Sequence, residues 1–113
     1  MHISITDRNK LLNKDLRELC ERRLDFALSR FESSIKKIDL VIVDENGPRG
    51  GVDKACRICI SLHRASDVVI NEKAEDVATC VSGIAERASR TVARALERTQ
   101  QFDRTQKEVH ESI

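Results

Sequence analysis

Alternation of apolar and polar residues predicts four short strands along the chain. Residues 2–6 and 55–64 alternate with a period of two, which places their apolar side chains on one face of a strand. Residues 38–43 are apolar on both faces, which indicates a strand covered on both sides or one with an exposed apolar face. Residues 68–72 predict a short fourth strand.

Two longer stretches repeat their apolar residues every three or four positions, the spacing of one helix face. The first helix is predicted from a cap at Asn13 or Asp15 to about Ser33. The second begins at Glu75, and Asp76 favours its positive N-terminal end. The apolar stripes are Leu12, Leu16, Leu19, Cys20, Leu24, Ala27, Leu28 and Phe31 in the first helix, and Val77, Val81, Ile84, Ala85, Ala88, Val92, Ala95 and Leu96 in the second.

The order β-α-β-β-β-α predicts an α+β fold, with both helices packed on one face of a four-stranded mixed sheet. The first two strands are joined through a helix and are therefore parallel, and the last three form an antiparallel meander. Residues 46–51 hold most of the glycines and the only proline, which indicates a turn. We expect one domain over residues 1–99, and a polar tail over residues 100–113 that is a frayed helix or disordered.

Composition narrows the classes of function. The 113 residues carry a formal net charge of +1, so the chain is not a simple polycation, although 35% of its residues are charged. No apolar run is long enough to span a membrane, and residues 1–10 lack a signal-peptide core. We therefore expect a cytoplasmic protein with free thiols and no membrane partner. With three Phe and no Tyr or Trp, a binding mode built on base stacking is disfavoured.

No pattern for catalysis or metal binding emerges. Cys56 and Cys59 have C-x-x-C spacing, but in a strand residues three apart point to opposite faces. Gly50 and Gly51 precede a strand rather than a helix with Lys-Ser or Lys-Thr, so they do not form a phosphate loop. The sequence predicts no enzyme, no metal, no cofactor and no small-molecule substrate.

A row of four arginines on the second helix is the strongest functional signal. They are Arg87, Arg90, Arg94 and Arg98. At 100° per residue the row is about 80° wide and about 16 Å long. Guanidinium groups form forked hydrogen bonds with phosphate oxygens, so the row predicts contact with a nucleic-acid backbone. The alternative is a solvated face with local ion pairs to Glu86 and Glu97.

Other cations are weaker candidates for RNA contact. They are Arg22, Arg23 and Arg30 on the first helix, Arg49 at the tip of the glycine-rich turn, and Lys54 behind it. Arg23 and Arg30 align at the edge of the apolar stripe, where two neighbouring helices would form a groove. For Arg23 the alternative is that its aliphatic chain packs against the protein while its guanidinium group stays in water. For Arg49 the alternative is that the glycine-rich turn only connects two strands of a hairpin.

A second interpretation makes the chain a protein-interaction module. It would form a weak homodimer through an exposed apolar face of the sheet, using Val41 and Val43 or Leu40 and Ile42. Salt separates the two interpretations, because phosphate contacts weaken steeply as salt rises and apolar contacts do not.

The sequence resembles the ribosome hibernation-promoting factor family, which includes the ribosome-associated translation inhibitor and is also called the sigma-54 modulation family. The resemblance rests on the element order, on the opening His-Ile-Ser-Ile-Thr of residues 2–6, and on the segment Leu-Arg-Glu-Leu-Cys-Glu-Arg-Arg-Leu of residues 16–24. Residues 44–54 look like those of a subgroup with a longer, glycine-rich hairpin. The resemblance covers residues 2 to about 99.

The resemblance implies a non-enzymatic protein of the hibernation and stress response that binds small-subunit ribosomal RNA and blocks translation. The chain is similar to the short form of the family, without the C-terminal dimerisation domain. It departs from the family at residues 75–81, where members often carry an aromatic residue. Arg also replaces the Lys found in the second helix of well-known short members, and acidic residues enter the tail.

Overall fold

A computed structural model gives the fold. It describes residues 1–45 and 53–111, with side chains described up to residue 99. The predicted turn at residues 46–51, with Arg49, lies outside the described residues. The elements are β1 (His2–Asp7), α1 (Lys14–Leu28), a 3₁₀ helix (Ser29–Ser34), β2 (Ile35–Asp44), β3 (Lys54–Leu62), β4 (Val68–Ala74) and α2 (Val77–Glu111).

The four strands form one mixed sheet in the order β1-β2-β3-β4. β1 is parallel to β2, and β2, β3 and β4 form an antiparallel meander. The predicted α+β class and the β-α-β-β-β-α order are confirmed. β2 starts three residues earlier than predicted and has a register irregularity between Ile35 and Lys37, which lets the apolar Ile35 join the core.

One face of the sheet and one stripe of each helix form the core. In the strands every second side chain points to the buried face, and in the helices the 3.6-residue period places apolar side chains on one side. The helix-facing residues are Ile38, Leu40, Ile42, Cys56, Ile58, Ile60, Val68 and Ile70 from the sheet, Cys20, Leu24 and Leu28 from α1, and Val77, Val81, Ile84, Ala85, Ala88 and Val92 from α2.

The opposite face of the sheet has no helix over it in the described part of the chain, and we call it the open face. Val41 and Val43 are half-buried there, whereas Leu40 and Ile42 are 0% exposed on the helix side. The suggestion that Leu40 and Ile42 form a dimer surface is therefore wrong, because the core already covers them.

The first helix ends earlier than the sequence predicts. Asn13 caps its start, since the Asn13 Oδ1 atom accepts a hydrogen bond of 2.8 Å from the Leu16 backbone N–H. The α-helix stops at Leu28, and residues 29–34 form a 3₁₀ helix instead of the last turn. Three of these six residues are serines, whose hydroxyls compete for backbone hydrogen bonds and favour helix ends over interiors.

The second helix begins two residues later than predicted. Asp76 precedes it and accepts hydrogen bonds from Thr79, 2.8 Å from the backbone N–H and 3.0 Å from the hydroxyl. α2 then continues to Glu111, past residue 99. The end of the domain near residue 99 stays a prediction. No helix in the described ranges has the length and apolarity to cross a bilayer.

Three of the four cysteines are core residues. Cys20, Cys56 and Cys80 are buried, and Cys59 is half-buried on the open face. A hydrogen bond to Cys80, together with burial, raises the pKa of the Cys56 thiol. Cys56 and Cys59 point to opposite faces of β3, so their thiols cannot converge on one metal ion. Among the described residues, no group of three or more His, Cys, Asp or Glu is placed to hold a metal.

We expect Asp76→Ala to destabilise the protein more at neutral pH than in acid. The hydrogen bonds from the Thr79 backbone and hydroxyl lower the pKa of Asp76. A carboxylate with a lowered folded pKa stabilises the fold above its unfolded pKa and loses that contribution as pH falls through the folded value. The gap in free energy of unfolding between wild type and variant, measured by urea unfolding, should narrow below about pH 4. A gap that stays constant from pH 7 to pH 3 would contradict this.

We expect one fast-reacting thiol in the native protein and four after denaturation. Cys59 is accessible from solvent, whereas the other three thiols lie in the core. Titration of the reduced protein with a chromogenic disulfide reagent, with and without denaturant, measures both numbers. Elemental analysis of the same sample should find no stoichiometric zinc, and finding zinc would show the metal-free expectation to be wrong.

Candidate nucleic-acid interface

The four arginines of α2 form an exposed row on the side of the helix that faces the β4 edge. All four are exposed to solvent. Arg87 contacts β4, so its side of α2 faces the β4 edge. The other three arginines lie within about 60° of Arg87 around the helix axis and therefore face the same way. The row therefore faces away from α1.

Arg87 is the structural member of the row. Its Nη1 atom donates a 2.8 Å hydrogen bond to the Asn71 carbonyl oxygen and lies 3.0 Å from Glu72 Oε2. The side chain is still 48% exposed. Arg87 thus fastens α2 to β4 while one side of its guanidinium group remains in water.

Free positive charge increases toward the C-terminal end of the row. Arg90 Nη2 lies 3.8 Å from Glu86 Oε1, and both side chains are more than half exposed, so this ion pair is weak. Arg94 and Arg98 form no ion pair with any side chain up to residue 99 that the structure describes. Three of the four guanidinium groups therefore remain available to an external anion.

A groove beside the row adds a fifth arginine. It lies between α2 and the β3–β4 connection, has a volume of about 770 Å³, and is lined by Arg98 and Arg64 together with Asp67 and several apolar side chains. Sequence reasoning missed Arg64, because only the pairing of β3 with β4 and the packing of α2 bring it near Arg98. The carboxylate of Asp67 offsets part of this charge.

The arginines of the first helix do not share a groove with the row. The Arg30 Nη2 atom donates a 3.1 Å hydrogen bond to Ser89 Oγ, and its Cζ atom lies 4.5 Å from the centre of the Phe31 ring. Ser89 lies about 140° around the helix axis from Arg94. Arg30 therefore lies at the contact between α1 and α2, whereas the row lies on the other side of α2, so Arg30 and the row are not in one groove.

Arg22 and Arg23 are both exposed but differ in their surroundings. Arg22 lines a surface depression beside β1 with three carboxylate residues, which lower the local positive potential. Arg23 lies on the other side of α1, toward α2. Arg23 is thus the better candidate for a phosphate contact. The carboxylates around Arg22 are Glu18, Glu21 and Asp25.

Lys54 has its charge neutralised inside the protein. Its Nζ atom lies 2.9 Å from Asp53 Oδ1 and 3.5 Å from Asp44 Oδ2, and the side chain is only 18% exposed. The hydrogen bond to Asp53 raises the pKa of Lys54, which keeps the ammonium group charged and paired. The expectation that Lys54 offers a free charge to phosphate does not hold, because two carboxylates already surround it.

Phe26 is a feature that the sequence prediction passed over. It lies outside the apolar stripe of α1, and 87% of the residue is exposed, more than any other large apolar residue in the described chain. Its position off the stripe was visible in the sequence. Of the three Phe residues, the apolar stripe accounts for Phe31 but not for Phe26.

Comparison with known proteins finds similarity at the level of structure. No family model matches the chain, and no curated protein sequence matches it. The fold is similar to that of a ribosomal subunit interface protein from Coxiella burnetii, with a TM-score of 0.66 and 18% identity, over 83% of this chain and 96% of that one. It is equally similar to the N-terminal domain of Protein Y from Thermus thermophilus, with a TM-score of 0.67 and 18% identity, over 83% of this chain and 98% of that one. The chain therefore has the fold of these two proteins.

Proposed function

We propose that this protein is a member of the hibernation-promoting factor family that binds the ribosome and inhibits translation without catalysing a reaction. Its target would be ribosomal RNA of the small subunit in the cytoplasm. One of the proteins that share its fold is named as a ribosomal subunit interface protein. The resemblance of its sequence to the family points in the same direction.

The observation that carries the proposal is a line of guanidinium groups on one helix, of which Arg90 has only a weak ion pair and Arg94 and Arg98 have none with the described side chains. Arg90, Arg94 and Arg98 follow one another at about 6 Å along the helix axis. Arg87 anchors the helix to the sheet, so the spacing of the row along the helix is set before RNA binds. A fixed row of this kind suits an RNA backbone, where recognition depends on shape more than on base identity.

A homodimer through the open face of the sheet is the second candidate function. Val41 and Val43 are half-buried there, and Val69 is 47% exposed. Arg57 and Lys73 cross the same face and are exposed, so the apolar area is divided into small parts. A stable dimer needs a larger continuous apolar patch, which makes this the weaker candidate.

Reversing two charges in the row should abolish binding. The double variant Arg90→Glu and Arg94→Glu places carboxylates where phosphates would lie, and both side chains are exposed, so the fold should survive. Co-sedimentation with small ribosomal subunits at low and high salt measures binding, and a cell-free translation assay measures inhibition. The slope of log affinity against log salt should flatten by about 0.7–0.9 for each phosphate group that the protein no longer neutralises.

The matched control is Lys10→Glu with Lys14→Glu. Both lysines are exposed and lie at or before the start of α1, outside the arginine row, and either pair of reversals changes the formal net charge from +1 to −3. The control should bind like wild type. If the Arg90 and Arg94 variant binds as well as the control with an unchanged salt slope, the row is only a solvated face. A concentration-dependent dimer in sedimentation equilibrium would then favour the second candidate.

Single alanine variants should separate the members of the row by their contacts. Arg94→Ala and Arg98→Ala should weaken ribosome binding only in part and change the free energy of unfolding by less than about 0.5 kcal/mol. Arg87→Ala should destabilise the protein by about 0.5–1.5 kcal/mol, because it removes the hydrogen bonds to Asn71 and Glu72. Thermal unfolding and subunit binding of all three variants test this ranking. Equal stability losses for all three would contradict it.

A further inference from the structure

Phe26 lies in the middle of α1 and points away from the core. The buried residues Cys20, Leu24 and Leu28 define the inner side of this helix, and at 100° per residue Phe26 lies about 120° or more from each of them. The residue is 87% exposed. An aromatic ring in this position contributes no packing to the described fold.

The residues one helical turn away from Phe26 are polar, and three of the four are arginines. They are Arg22, Arg23, Ser29 and Arg30. Arg22 and Arg23 form no ion pair with the described side chains, and Arg30 binds a serine hydroxyl and an aromatic ring rather than a carboxylate. On the β1 side of the ring lie Glu18, Glu21 and Asp25, so the cationic side is the one toward α2.

This composition favours a nucleic acid over a protein as the partner. A protein interface is built around a continuous apolar centre, and Phe26 has no apolar neighbour one turn before or after it. A single aromatic face flanked by arginines is typical of sites where an unpaired base stacks and the adjacent phosphates contact guanidinium groups. The charge around the ring is complementary to such a segment.

We propose that Phe26 is a stacking platform for an unpaired RNA base, with Arg23 and Arg30 beside it for the neighbouring phosphates. The proposal rests on the proposed function and extends it from backbone contact by α2 to base contact by α1. The row faces away from α1, so one folded RNA that contacts both surfaces has to pass over the outer side of α2. With so few aromatic residues the protein cannot stack a series of bases, but one exposed ring is enough to stack a single base.

Three substitutions at Phe26 distinguish stacking from an apolar contact. Phe26→Ala removes the ring, Phe26→Leu keeps apolar bulk without a π-face, and Phe26→Trp keeps the π-face. We expect Phe26→Ala and Phe26→Leu to weaken binding to small ribosomal subunits by about 5- to 100-fold with an unchanged melting temperature. Phe26→Trp should bind like wild type. Val69→Ala is the control, because Val69 is the other exposed large apolar residue in the described chain, and it should also bind like wild type.

Phe26→Trp also supplies a direct optical test. The chain has no Trp or Tyr, so this variant has a single indole fluorophore. A 12-nucleotide single-stranded RNA and the small subunit should each quench its fluorescence on binding, because a stacked base quenches indole emission.

The outcomes separate this proposal from the proposed function. If Phe26→Ala binds like wild type while the Arg90 and Arg94 double reversal does not, the stacking proposal is wrong and the proposed function stands. If Phe26→Leu binds like wild type while Phe26→Ala does not, the contact is apolar and the partner is a protein, which also overturns it. If wild type does not sediment with subunits, the proposed function fails first.

Discussion

Burial of a single sheet face under two helices is the constraint on which the other features depend. The alternating Ile, Leu, Val and Cys of the strands meet the apolar stripes of α1 and α2, and together they form one continuous core. Each large side chain fully buried there contributes about 1.5–3 kcal/mol of transfer free energy. Because the core lies on one side of the sheet only, most charged residues lie on the outer side of the helices, at the sheet edges or on the open face.

The distribution of charge on the helix layer follows from how α2 is held. Contacts of Arg87 with Asn71 and Glu72 set the rotation of the helix at the β4 edge, and Ser89 faces α1 on the other side. Positive charge accumulates along the β4 edge, whereas the β1 side of α1 carries carboxylates. A protein with a net charge of only +1 thus has a local excess of positive charge on one side.

The fold could be predicted from the sequence because strand and helix periodicity are local properties. The site could be predicted only in part, because the fate of each cation depends on partners distant along the chain. Arg30 meets Ser89, and Arg64 comes beside Arg98 only after β4 and α2 have packed. Lys54 failed as a candidate for a different reason. Its partner Asp53 is adjacent in sequence, but the burial that makes the pairing strong appears only in the folded structure.

The parallel pairing of β1 with β2 has a consequence for how the chain folds. β1 has a single neighbour in the sheet, and its first residue, His2, pairs with Lys37 across the whole of α1. The meander of β2, β3 and β4 closes shorter loops, such as that between Ile60 and Val68, and such local contacts form faster. During synthesis β1 is made before β2, and it has no partner in the sheet until β2 follows. The pairing of β1 with β2 closes a longer loop than the pairing of β3 with β4, so we expect its backbone hydrogen bonds to form later.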